Sequence, residues 1–212
     1  MASEQNEELW QQASPLLLPS AAATQSLGAL VAQAALGFLA PSGQQKSPPP
    51  SRSLGSTSGL VILLEGNLGS GKTTFVQGLG QGLGIPEPID SPTFVLVQEY
   101  HTGRIPLFHC DLYRLETSSA ARAGGKESTL LEDLGLEELW SQGGITAIEW
   151  PQYLRHLPAT YLWLRLQPHP QQEGARLLHV KGKGSQTAQL WQQVLSQFTQ
   201  QDPEEKRIHF SP

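Results

Sequence analysis

The hydrophobic pattern changes period several times along the 212 residues, and each change marks an element. Leu27, Leu30, Val31, Ala34, Ala35 and Phe38 recur at three- and four-residue spacing through SLGALVAQAALGFL, 26–39. That spacing predicts an amphipathic helix, with Ser20 or Thr24 available near its start. At 60–65 the pattern becomes LVILLE, an unbroken β-branched and leucine run, as expected of a strand covered on both faces. TTFVQGLGQGLG, 73–84, predicts a helix weakened by glycines and stopped at Gly84. FVLVQEY (94–100) and RIPLFHCDLYRL (104–115), joined by a turn at 101–103, read as a hairpin. A short acidic helix follows in LLEDLGLEELW (130–140), then a buried strand in ITAIEW (145–150) that ends on a carboxylate. TYLWLRLQ (160–167) and ARLLHVKG (175–182) predict a second hairpin, and TAQLWQQVLSQF (187–198) a closing amphipathic helix.

Two stretches interrupt this order. APSGQQKSPPPSRSLGSTSG, 40–59, has too little apolar surface to offset the entropy of ordering it and is expected to be a flexible linker. SSAARAGGKEST, 118–129, has small and polar residues without a period and is expected to be an inserted loop. Residues 1–17 are expected to be a disordered tail and 201–212 a polar one, which leaves 18–200 as a single domain. Strands alternating with helices, with two hairpins among them, predict an α/β fold with a mixed central sheet.

Charge and cysteine usage narrow the function classes. Charged residues are 16% of the chain, the formal net charge is −5, and no lysine–arginine stripe is present. Unaided nucleic-acid binding draws its affinity from several cations that displace counterions, so it is not expected as the main activity. Cys110 is the only cysteine, which excludes an internal disulfide and a cysteine-built zinc site. The start, MASEQNEELW, is acidic where a signal peptide would be positive. The most apolar early stretch, GALVAQAALGFLA at 28–40, is shorter than the roughly 20 residues of a bilayer span. A soluble, cytoplasmic protein without membrane contact is expected.

The candidate chemistry begins where LVILLE ends. Gly66, Gly69, Gly71, Lys72 and Thr73 stand in the spacing G-x-x-x-x-G-K-T between a predicted strand and a predicted helix. Glycines let backbone N–H groups wrap an anion without interference from Cβ, and the helix start adds its positive dipole end. In such a phosphate-binding loop Lys72 reaches the β- and γ-phosphates, and the Thr73 hydroxyl takes a place on Mg²⁺. The chain is thereby expected to adopt a P-loop NTPase-like three-layer fold.

A P-loop needs a carboxylate at the end of a neighbouring buried strand, and Glu149 and Asp111 both fit. Their structural alternatives are a solvated strand end for Glu149, and a helix cap or a partner of Arg114 for Asp111. Thr93, in SPTF at 91–94, is placed to act as a switch threonine, although spacing alone favours a proline turn opening the next strand. The six histidines, among them His109, show no ligand spacing and read as surface or hydrogen-bonded residues. Trp140 and Trp163 read as core, and KGKGS (181–185) as a hairpin turn.

GNLGSGKTTF, SPTFVLVQEY, HCDLYRL and AIEWP, in that order and at these separations, resemble the TsaE (YjeE) family over about residues 18 to 166. That family comprises small bacterial P-loop ATPases required for threonylcarbamoyladenosine modification of tRNA. The resemblance implies that Gly69, Ser70, Gly71, Lys72, Thr73 and Thr74 cradle the phosphates of ATP, with Thr73 and Glu149 on Mg²⁺. It further implies that Asp111 positions the attacking water, that Thr93 is the switch-like threonine, and that Trp150 packs beside the site. Residues 20–24 would lie near the adenine. Hydrolysis would act on a TsaB–TsaD complex, and tRNA would be met only indirectly, through these partners. The linker, the insertion and both tails exceed the family's usual compact form. A small-molecule kinase remains as the alternative enzyme, for which only Arg122 sits in an obvious lid loop, and a non-catalytic nucleotide switch as the alternative outside catalysis. A GTPase is disfavoured because no N-K-x-D segment is present.

Overall fold

The computed structural model describes residues 9–12, 14–39, 59–114 and 135–201. The linker at 40–58, the insertion at 118–129 with Arg122, and the segments 1–8 and 202–212 lie outside the described residues. The elements in chain order are β1 (Leu9–Gln11), β2 (Leu16–Leu18), α1 (Ala21–Leu39), β3 (Leu60–Glu65), α2 (Lys72–Leu83), β4 (Val97–Tyr100) and β5 (Leu107–Asp111). They continue with α3 (Leu136–Ser141), β6 (Ile145–Glu149), a 3-10 turn at Pro151–Tyr153, β7 (Tyr161–Pro168), β8 (Arg176–Lys183) and α4 (Ser185–Gln201).

The strands form one mixed sheet in the order β1-β8-β7-β3-β6-β5-β4, with β2 also paired to β8. β7, β3, β6 and β5 run parallel, while β4–β5 and β7–β8 are the two antiparallel hairpins expected from the sequence. This is the α/β, mixed-sheet architecture that the periodicities predict. β3 lies at its centre because its residues serve two cores. Leu60, Ile62 and Leu64 face one apolar cluster with residues of α1, α2 and α4, and Val61 and Leu63 face a second with residues of α3. A strand buried on both sides has no polar positions to alternate, hence LVILLE.

The α1–α2 contact is made by backbone. A Cβ on Gly78 would stand 2.1 Å from the Gln25 carbonyl oxygen, and one on Gly28 2.3 Å from that of Phe75. The glycines that weaken α2 as an isolated helix are therefore what lets α1 lie against it. Gly84 ends α2 in the left-handed conformation, and Ser20 caps α1 through its Oγ, which accepts from the Ala23 N–H at 3.2 Å. α1 is thus longer than the periodic stretch that predicts it. Its 19 residues, of hydropathy 1.3, are long and apolar enough to cross a membrane. However, Leu27, Val31, Ala32 and Ala35 are fully buried within the core, the placement of a core helix.

Three local expectations are corrected. Leu9–Gln11 and Leu16–Leu18, all but Leu18 inside the expected tail, are edge strands on β8, and Leu16 is buried. Three-residue strands are too short to show a period. The strand expected from Phe94 begins at Val97 instead, because the N–H groups of Val95 and Leu96 turn back to the Pro92 carbonyl, at 3.0 and 2.7 Å. KGKGS is no hairpin turn: Lys181, Gly182 and Lys183 finish β8, Gly184 turns at φ 109°, and Ser185 opens α4.

Candidate functional site

Parallel pairing brings the site together at the carboxyl ends of the central strands, where ligand crevices of open α/β sheets form. The register sets Asp111 of β5 opposite Glu149 of β6, and Glu149 opposite Leu64 of β3, two residues before the loop begins. Residues 66–71 then connect β3 to α2, and Leu68–Gly71 border a cleft of ≈ 340 Å³. Ala21 and Thr24 of α1, Leu68, Ser91, Thr93, Asp111, Tyr113, Glu149, Trp150 and Arg176 complete its walls with the loop.

The loop conformation requires glycine at two points in particular. Gly66 has φ 150°, and a Cβ there would meet the Leu166 carbonyl oxygen at 2.4 Å. Gly71, with φ 104°, turns the chain into α2 so that the first N–H groups of the helix open on the cleft. Gly69, Ser70, Gly71, Lys72, Thr73 and Thr74 all line the cleft, whereas Gly66 sits at the loop's base and does not.

Lys72 is 4% exposed. Its Nζ donates to the carbonyls of Gly66 (2.9 Å) and Asn67 (3.1 Å), lies 4.1 Å from the centre of the Trp150 ring, and is 3.9 Å from Glu149 Oε2. Burial lowers its pKa below the usual 10.5, a shift that the neighbouring carboxylates of Glu149 and Asp111 oppose. The ammonium is thus held at the loop without an exclusive carboxylate partner. Trp150 holds its place in a left-handed backbone conformation (φ 61°), and Tyr113 packs on it with ring centres 4.9 Å apart.

The two predicted acids have different surroundings. Glu149 Oε1 accepts from the Thr73 hydroxyl at 2.8 Å and from His109 Nε2 at 3.0 Å. Asp111 Oδ2 accepts from Ser91 Oγ and Thr93 Oγ1, both at 2.6 Å, and its Oδ1 takes the Tyr113 N–H at 3.0 Å. The loop residues, Thr93, Asp111, Glu149 and Trp150 are therefore gathered at one cleft or at its base.

The sequence reading missed four residues. Arg176, on β8, donates Nε to the Ser70 carbonyl (2.9 Å) and Nη2 to that of Gly69 (3.1 Å), clamping the loop from a strand more than a hundred residues away. Ser91 and Tyr113 were passed over beside residues that were chosen. His109 is hydrogen-bonded, one of the two readings the sequence allows, and the structure adds that it is fully buried and that its partner is Glu149. The alternation HCD, two residues apart on one strand face, was the available signal for it.

A family model described as "Threonylcarbamoyl adenosine biosynthesis protein TsaE" matches residues 19–177. Three relatives bear the name tRNA threonylcarbamoyladenosine biosynthesis protein TsaE. That of a Nostoc species is 52% identical over 110 residues, 50% of this chain and 61% of the relative. That of Synechocystis is 50% identical over 101 residues (48% and 60%), and that of Bacillus subtilis 45% over 92 (43% and 51%). The matches thus span at most about six-tenths of the length of these relatives. The crystal structure of Bacillus subtilis YdiB shares the fold, with a TM-score of 0.59 at 23% identity over 90% of this chain and 95% of that one.

Proposed function

The chain belongs to the TsaE family, and we propose that it is a Mg²⁺-dependent ATPase that supports threonylcarbamoyladenosine formation on tRNA by acting on a TsaB–TsaD complex. The observation that carries the reading is the Thr73 hydroxyl on Glu149 at 2.8 Å, directly beside the phosphate-binding loop and its buried lysine. One hydroxyl and one carboxylate suit Mg²⁺, which prefers a few protein oxygens and completes its shell with waters and phosphate oxygens. The buried Ser70 Oγ, which has no partner in the protein, lies in the same cradle.

Gly69, Ser70, Gly71, Lys72, Thr73 and Thr74 bind and orient the phosphates of ATP, and Lys72 leaves its two loop carbonyls for the β- and γ-phosphates. Thr73 and Glu149 hold Mg²⁺, which when bound neutralises phosphate charge and polarises the transferred group. Asp111 orients the attacking water, and Thr93 and Ser91 fix the orientation of Asp111. Trp150 and Tyr113 form an apolar wall that limits water beside Lys72. Phosphoryl transfer needs mainly such positioning and charge stabilisation, so these residues suffice without a covalent intermediate. With a net charge of −5, the chain leaves tRNA contact to its partners.

The test is ATP hydrolysis by the purified chain, alone and with TsaB and TsaD, beside Lys72→Ala. Slow Mg²⁺-dependent release of phosphate, raised by the partners and reduced at least about a hundred-fold in the variant, is expected. Labelled phosphate appearing on a small acceptor would make the protein a kinase. A rate that the partners leave unchanged would remove the proposed role.

A further inference from the structure

Among the described residues three buried polar side-chain atoms have no hydrogen-bond partner: Ser70 Oγ, His109 Nδ1 and Thr146 Oγ1. His109 is the least expected of them. It is fully buried on the face of β5 that also carries Leu107, opposite Ala147 of β6, under the larger apolar cluster. Phenylalanine or leucine would fill such a position and leave no polar atom unpaired. What histidine adds is one bond, from Nε2 to Glu149 Oε1 at 3.0 Å.

That bond decides how Glu149 is presented. Oε1 is held from behind by His109 and from the side by Thr73, while Oε2 points toward Lys72. On the reading that Thr73 offers Mg²⁺ an oxygen lone pair, its O–H can stay on Oε1, which then has two donors, while no such donor holds Oε2. We infer that His109 is a positioning residue: its Nε2–H fixes the plane of the Glu149 carboxylate and selects Oε2 as the oxygen offered to the metal–nucleotide complex. The inference rests on the proposed nucleotide site. It requires a proton on Nε2, since a carboxylate offers only acceptors.

The experiment separates metal from nucleotide. Mn²⁺ uptake by the ADP complex is followed by electron paramagnetic resonance, and ADP affinity in EDTA by calorimetry, for wild type, His109→Phe and His109→Gln. His109→Phe keeps the apolar volume but removes the donor, and should weaken Mn²⁺ about ten-fold or more, as loss of a group behind a metal ligand typically does. Affinity in EDTA should stay within about two-fold, since metal-free binding does not use Glu149. His109→Gln, which places an amide N–H near the position of Nε2, should recover most of the loss. A His109→Phe protein that holds Mn²⁺ as wild type does, or that loses both affinities together, overturns the proposal. Nitrogen-15 spectra of the wild-type imidazole give a check that depends on no variant: an Nε2–H tautomer is expected, and an Nδ1–H tautomer overturns the inference. A wild-type chain that binds ADP in EDTA but takes up no Mn²⁺ defeats the proposed metal site itself, and this inference with it.

Discussion

The two walls of the cleft are built on different principles. The loop wall rests on backbone: α2 lies so close to α1 that Gly78 and Gly28 leave no room for a Cβ, and Arg176 ties the carbonyls of Gly69 and Ser70 to β8. The facing wall, at Ser91 and Thr93, is hung on side chains. Ser91 and Thr93 reach one carboxylate oxygen of Asp111, Leu96 takes a left-handed backbone conformation (φ 66°), and Phe94 and Val95 stand 84% and 61% exposed. Backbone contacts at van der Waals distance cannot give without moving a helix, whereas two hydroxyl bonds can be exchanged for others at small cost. The first wall suits a cradle that is formed before any ligand arrives. The second suits a segment whose position depends on what occupies the site.

The largest effect should come from breaking the backbone wall. Gly78→Val places a side chain 2.1 Å from the Gln25 carbonyl oxygen, and overpacking of this kind should cost about 3 kcal/mol or more in urea unfolding. The intrinsic helix gain from replacing glycine, up to about 1 kcal/mol, does not offset it. On the other wall, Thr93→Val keeps the shape but removes the hydroxyl from Asp111. Hydrolysis should fall about 10- to 100-fold, and the unfolding midpoint should change by no more than about 1 kcal/mol of stability. A Thr93→Val protein that unfolds as readily as Gly78→Val would erase the distinction between the walls.

Arg176→Gln should loosen the loop from β8 and weaken ATP binding about ten-fold by calorimetry, the loss expected of charge-assisted bonds to two carbonyls. The smallest effect concerns pH. Burial lowers the pKa of Lys72 below 10.5 in the folded chain, so above that lowered value the unfolded chain binds more protons at this site than the folded one does. Wild type should therefore gain stability relative to Lys72→Met as the pH rises toward 10.5. Taking the difference from the variant cancels the opposite contribution of Cys110, whose thiol burial pushes up to about 12 and which costs stability above its usual 9.0. A difference that shrinks or stays flat over that range would contradict the burial of the ammonium.

Much of the fold and site was legible in the chain because it is written locally. LVILLE announces a strand covered on both sides, Gly84 a helix end, and G-x-x-x-x-G-K-T the loop between them; each depends on neighbours within a dozen residues. The acids at the ends of LFHCD and ITAIE were legible for the same reason, since a strand's end can be read without knowing its neighbour. Pairing partners cannot be read in this way. That β5 and β6 lie side by side in the register that sets Asp111 against Glu149 is a fact of the sheet, as is the arrival of Arg176 at the loop.

The sequence by itself determined most of the segments that become strands and helices, and the glycine-rich loop between β3 and α2, because periodicity and glycine spacing are short-range physics. Only the tertiary structure decided that α2's glycines serve the approach of α1, that Ser91 shares Asp111 with Thr93, and that a buried histidine stands behind Glu149. Those outcomes depend on contacts between residues far apart in the chain, where burial and distance, and not residue type, assign the role.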